Sequence, residues 1–248
     1  MKKRYENPPI VEVVCEFQFV PGEIWDDAMP ELIYEKINGN FPGKQQKIEL
    51  SFNVEPLKNG VVQRVEPIVR NQFFNRDRTA LIQTIPNLFI LNQLKPYIGW
   101  ENFKLMIMDN FSVYRQIAKP KDFKRISLRY INLLEFSKKQ NIKLKNYLRY
   151  YPFIPEELAK NNNSFISKVE FPFKDGKESL TVALYSSISD RPNFSSLLLD
   201  IGYSMVSQEF VPFDDLEGWL AESHNKIENT FESIITDKSR NLFWIGGS

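Results

Sequence analysis

The order in which two hydrophobic periods follow one another constrains this chain most. Val11, Val13, Cys15, Phe17 and Phe19 alternate with Glu12, Val14, Glu16 and Gln18. A period of two marks a half-buried strand. Pro21-Gly22 ends it. Ile24–Asn38 then takes the helical period, with Trp25, Met29, Leu32, Ile33 and Ile37 near one stripe. Pro30 lies inside that run, so the helix either starts late or kinks. Four extended segments follow: Lys47–Glu55, Val61–Phe74, Thr79–Ile85 and Leu88–Leu94. Asn59-Gly60, Asn75–Arg78 and Pro86-Asn87 supply the turns between them. A helix over Gly99–Ala118 places Trp100, Phe103, Ile107, Phe111 and Tyr114 at helical spacing, and Pro120 closes it.

The order then restarts. Lys124–Phe136 reads as a strand, and Leu144–Leu148 and Pro155–Lys160 as short helical pieces. Asn161-Asn162-Asn163 reads as a loop. Strands over Ser164–Phe173, Ser179–Ile188 and Ser195–Met205 turn at Asp175-Gly176 and Asp190–Asn193. The last helix, Asp214–Thr236, buries Leu216, Trp219, Leu220, Ser223, Ile227, Phe231 and Ile234, and Asp214 or Asp215 can cap it. Hairpin-linked strands with few helices predict an α+β fold: a largely antiparallel, curved sheet with helices on one face. The pattern suits one domain over residues 1–248, with two pseudo-repeats, about 7–120 and 121–240, sharing one sheet. A duplicated β-α-β(3–4)-α unit of this kind is analogous to saddle-like TATA-binding-protein-like and helix-grip sheets.

Four segments occur in a recognisable order: Asn7-Pro8-Pro9-Ile10-Val11-Glu12-Val13, Leu128-Arg129-Tyr130-Ile131-Asn132, Leu198-Leu199-Asp200-Ile201, and His224-Asn225-Lys226-Ile227 running to Phe231 and Ile234-Ile235-Thr236-Asp237. The set resembles a sporadically distributed family of bacterial and archaeal proteins of about this length. The resemblance carries no catalytic residues across. The patchy distribution of that family implies horizontal transfer, as in phage-defence islands and toxin–antitoxin loci, and hence a protein partner encoded nearby.

Composition removes several chemistries. One His and one Cys exclude a His/Cys zinc site, a dithiol redox pair and an internal disulfide framework. A net charge of +1 gives no global field for nucleic acid or an anionic membrane. No apolar run reaches the ~20 residues of a membrane helix. Met1–Tyr5 is basic but lacks the apolar stretch of a signal peptide, so a soluble, cytoplasmic protein is expected. No phosphate-cradling loop, dinucleotide fingerprint, nucleophile elbow or metal motif is present, and no cofactor is expected.

Three groups of residues remain. Arg129 and Asp200 interrupt apolar strands and could form a bidentate pair on the exposed or half-covered face. With Asn132 they make the first candidate for ligand or partner recognition, against a purely structural cross-strand pair. Arg64, Arg70, Arg76 and Arg78 surround Phe73 and Phe74, and Lys121, Lys124 and Arg125 add a further basic stretch. That pattern would let single-stranded nucleic acid stack on the aromatic side chains, against a merely solvated face. His224 sits at the edge of the last helical stripe, beside Leu220 and Ile227, more as a boundary residue than as a catalytic base. Glu12 and Glu16 read as the wet face of their strand. The apolar Asn241–Ile245 is expected to fold back on its own core, and Ile245–Ser248 carries no functional weight. The reading is a non-enzymatic binding protein. RNA or single-stranded nucleic-acid binding is the first alternative, and an unrecognised enzyme using Arg129, Asp200 or His224 the second. Self-association stays open.

Overall fold

The computed structural model describes residues 5–22, 24–57, 60–138, 142–159, 164–206 and 211–244, with the side chains of 51–57, 60–66, 156, 159 and 244 outside the description. Met1–Arg4, Asn59 of the expected Asn59-Gly60 turn, the Asn161–Asn163 loop and the Ile245–Ser248 tail lie outside the described residues.

Nine strands form one antiparallel sheet that does not close. They are β1 (Ile10–Val20), β2 (Gly43–Leu57), β3 (Gly60–Phe74), β4 (Ala80–Ile85), β5 (Leu88–Leu94), β6 (Asp122–Ser137), β7 (Ile166–Phe173), β8 (Glu178–Ser187) and β9 (Phe194–Met205). Their order is β2-β3-β4-β5-β1-β6-β9-β8-β7. β1 and β6, the first strands of the two halves, pair at the centre, with Val13 opposite Tyr130 and Cys15 opposite Leu128. In each half the last strand returns beside the first, β5 to β1 and β9 to β6. The two halves therefore follow the same path outward from one central pair.

Alternation decides which face is covered. Val13, Cys15, Phe17 and Phe19 of β1, Ile126, Leu128 and Tyr130 of β6, and Leu199, Ile201 and Tyr203 of β9 are buried under helices. Those helices are α1 (Met29–Ile37), α2 (Trp100–Ala118) and α4 (Leu216–Ile234). The aromatic stripe of α2 reaches the sheet directly. Phe111 stacks on Phe19 with ring centres 5.9 Å apart, and Tyr114 stacks on the same ring at 5.1 Å. Proline at the first turn of α1 explains its late start, since a proline there lacks only an amide hydrogen that the helix would not use. Trp25 thus precedes the helix, and Leu32 is exposed.

One local expectation fails. Asp215 precedes α4, but no side-chain bond caps the helix; the chain enters through a 3-10 turn at Phe213–Asp215. After α4 comes a further helix, α5 (Asp237–Trp244), whose Phe243 is buried against Tyr5 and Phe231. The described part of the apolar C-terminal stretch, Asn241–Trp244, thus folds back on its own chain. The short α3 (Glu156–Ala159) lies in the β6–β7 connection. Among the described residues, no helix is long and apolar enough to cross a membrane.

Candidate functional site

The open face of the sheet carries the predicted ion pair. Alternation turns Arg129 of β6 and Asp200 of β9 away from the helices. Arg129 Nε donates to Asp200 Oδ1 at 3.3 Å, and Nη2 donates to Oδ2. The pair is diagonal: Arg129 lies opposite Gly202, and Asp200 opposite Ile131. Gly202 makes this possible, because a Cβ there would sit 2.8 Å from Arg129 Cγ. The Arg129 stem lies across the vacant side-chain position to reach the carboxylate. The same face bears a row of amides running across five strands. Gln45 donates to Gln72, Gln72 to Gln83, Gln83 to Asn92, and Asn92 to the Glu12 carboxylate, at 2.7 to 2.9 Å. Glu12 is therefore a hydrogen-bond acceptor within a network and not simply a solvated strand glutamate.

Asn132 does not join this group. It lies three residues after Arg129, so the strand turns it to the opposite, helix-covered face. It is buried there, donating to Leu199 O at 3.1 Å. The three-residue cluster expected from sequence is thus divided between the two sides of the sheet. His224 also lies on the helix side, apart from Arg129 and Asp200.

The basic–aromatic group needs a stronger correction. Phe73 is fully buried and stacks under Tyr34 of α1, so no base can reach it. Arg78 lies over the Phe74 ring at 4.1 Å and occupies that face. Arg70 donates to Glu49 Oε2 through Nε and Nη2. Arg76 is exposed in the β3–β4 turn, and the Arg64 side chain lies outside the described residues. Lys121, Lys124 and Arg125 are exposed, without an aromatic platform assembled from Phe73 and Phe74.

The helix side holds a cavity that sequence spacing did not reveal. A chamber of about 810 Å³ opens between α2 and α4. Its base is Tyr130 and Asn132 of β6. One wall is the β5–α2 connection and the first turn of α2, from Tyr97 to Asn102. The other is the α4 face from His224 to Glu232, and the N-terminal segment from Tyr5 to Ile10 forms the rim. Gly99 sets the wall: its φ of +88° and ψ of 156° form a backbone state that essentially only glycine adopts, immediately before α2.

A connected polar line runs through the chamber. Tyr97 and Tyr130 share a hydrogen bond of 3.1 Å, and Tyr130 and His224 Nδ1 share another of 3.0 Å. The His224 ring stacks on Trp100 with centroids 4.2 Å apart and planes within 6°. The one histidine of the chain is thereby fixed from two directions. Burial pushes the Tyr130 phenol well above its ordinary value, with the neighbouring Tyr97 adding to the shift. Burial pushes Tyr97 up to about 12, against the opposing bond from Tyr130. At neutral pH both are neutral hydroxyls able to donate. At the rim, Tyr5 donates to Glu232, which also accepts Arg240 Nε at 3.1 Å and Nη2 at 2.9 Å.

A second, smaller recess of about 290 Å³ lies between β7 and α4, lined mainly by apolar side chains such as Val169, Phe171, Phe173 and Val182. Close by, the Glu178 carboxylate is buried. It accepts Trp219 Nε1 at 2.8 Å, the Tyr203 hydroxyl and Lys174 Nζ at 3.1 Å, with Lys226 4.0 Å away. Among the described residues, no group of three or more His, Cys, Asp or Glu is placed to hold a metal ion. No model of a known protein family matches the chain, and no curated protein sequence matches it.

Proposed function

We propose that the protein is a binding protein whose small-molecule site is the chamber between α2 and α4. The observation that carries this reading is the combination of volume and lining. A concave space of about 810 Å³ combines Ile98, Ile227 and Phe231 with a few convergent polar groups at its base, Tyr97, Tyr130, Asn132 and His224. Ligand sites have this composition, with apolar walls supplying affinity and a few fixed polar groups setting orientation. The Tyr97–Tyr130–His224 line is held before any ligand arrives, which lowers the ordering cost of binding.

The single histidine makes the test direct. In protein labelled with ¹³C-histidine, the ring resonances report one residue at the chamber wall. A fragment library of mixed charge should contain aromatic fragments that shift these signals saturably, with the effect reduced in Tyr130→Phe. A library that leaves the signals unmoved would overturn the assignment.

A second reading, binding of a protein partner, is supported by the recess beside β7. In the first half, α1 covers the apolar face of β3 through the Tyr34–Phe73 stack. In the second half, among the described residues, the corresponding connection places only a 3-10 turn at Leu144–Asn146 and the four-residue α3, and Phe171 and Phe173 stay partly exposed. An amphipathic helix of a partner suits that position. The motif resemblance makes the product of a neighbouring gene the first candidate. Co-expression followed by size-exclusion chromatography should give a complex that Phe171→Glu weakens; two separately eluting proteins would refute this reading.

A further inference from the structure

We infer that the chamber between α2 and α4 takes an organic cation with an apolar body, an ammonium compound being the simplest chemical class. This inference rests on the reading of the chamber as a ligand site and adds the charge of the ligand. Among the described residues, four carboxylates line the chamber, on Glu6, Glu101, Glu228 and Glu232, and no lysine or arginine does. Lys104 and Arg240 pair with Glu101 and Glu232 from outside the lining. Electron-rich rings of Tyr97, Trp100 and Tyr130 supply the wall and base. A cation held over such rings is attracted by their quadrupoles, and carboxylates in the same partly dry space strengthen the attraction. An anion would meet the opposite field. The uncapped first turn of α2 favours an anion, but Glu101 stands in that same turn.

The charge of Glu228 reaches the base of the chamber. Burial is the main cause that raises the Tyr97 and Tyr130 phenols, and the Glu228 carboxylate adds to both shifts.

Three probes of one shape separate the possibilities: benzyltrimethylammonium, its uncharged carbon isostere neopentylbenzene, and the anion phenylacetate. Each is titrated into the full chain while the His224 ring resonances are followed, with calorimetry for affinity. The cation should bind about tenfold more tightly than the isostere, the scale of a desolvated cation–π contact. Glu228→Gln should reduce that preference several-fold while leaving the isostere unchanged. Glu6→Gln, at an exposed rim position, gives a smaller loss in the same direction and does not endanger folding. Equal binding of cation and isostere, or tighter binding of phenylacetate, overturns the cation inference while the chamber remains a ligand site. Failure of all three probes to move the His224 signals overturns both.

Discussion

Alkaline unfolding tests how deeply the tyrosines are built into this fold. Five of the ten tyrosines, Tyr5, Tyr97, Tyr114, Tyr130 and Tyr203, have phenols raised above the ordinary value, with burial the largest cause in each. Below pH ~10 the folded and unfolded chains both keep these protons, and the stability they contribute is fully present. Above that, the unfolded chain releases them and the folded chain does not. Stability then falls by about 1.4 kcal/mol per pH unit for each phenol still protonated in the folded state. Tyr114 and Tyr130 are 1% and 5% exposed and count in full. Together they give about 3 kcal/mol per pH unit, or about 6 kcal/mol between pH ~10 and ~12. Tyr97, half-buried and raised to about 12, adds a screened share in the same direction. A domain has about 5–15 kcal/mol to lose, so cooperative unfolding is expected between pH ~11 and ~12. Tyrosinate absorbance at 295 nm and far-UV circular dichroism should change together there. Tyr114→Phe, which removes one such phenol, should flatten the dependence by about 1.4 kcal/mol per pH unit. Complete tyrosine ionisation while the circular dichroism stays native would refute the reasoning.

Two substitutions test the polar networks. Gly202→Ala puts a methyl group 2.8 Å from Arg129 Cγ, near the fixed base of that side chain, and should cost about 1–3 kcal/mol in urea unfolding. If the Arg129–Asp200 pair is what the glycine protects, most of that cost disappears in an Asp200→Asn background; an unchanged cost would disconnect the two. Glu178→Ala orphans the buried Trp219 Nε1 and takes the acceptor from the Tyr203 hydroxyl, while Lys174 and Lys226 keep their pairs with Glu222. The expected loss is about 3–5 kcal/mol, with Glu178→Gln retaining part of it, and a loss below about 1 kcal/mol would contradict the burial argument.

Where one period governs one element, the sequence sufficed. The buried face of α4 is the set Leu216, Trp219, Leu220, Ser223, Ile227, Phe231 and Ile234, read from 3.6-residue spacing alone. The open-face pairing of Arg129 with Asp200 followed from strand alternation in the same way. Two errors came from not carrying alternation through. Phe73 and Phe74 were read as one platform, although neighbours in a strand point to opposite faces. Arg129 and Asn132 were grouped although an odd separation divides them. The helix α5 was missed for another reason. Asp237–Trp244 contains only two apolar side chains, Leu242 and Phe243, besides its terminal Trp244, and its fixed position depends on Tyr5 and Phe231 from remote parts of the chain.

The chamber was illegible on different grounds, and these bear on what it does. Its lining comes from the N-terminal segment, the entry to α2, the middle of β6 and one face of α4. No local spacing links them; the antiparallel order of β1, β5 and β6 does. Each member also has an ordinary local explanation: Trp100 opens a helical stripe, Tyr130 points into a core, and His224 edges another stripe. Only their meeting changes the meaning. A histidine stacked on tryptophan and bonded to a buried tyrosine is held from two directions beside an open space of about 810 Å³. A cavity of this size forgoes packing contacts that a filled core would make. Rigid polar groups around it are what a site needs when it must keep its shape without a ligand and recognise one on arrival.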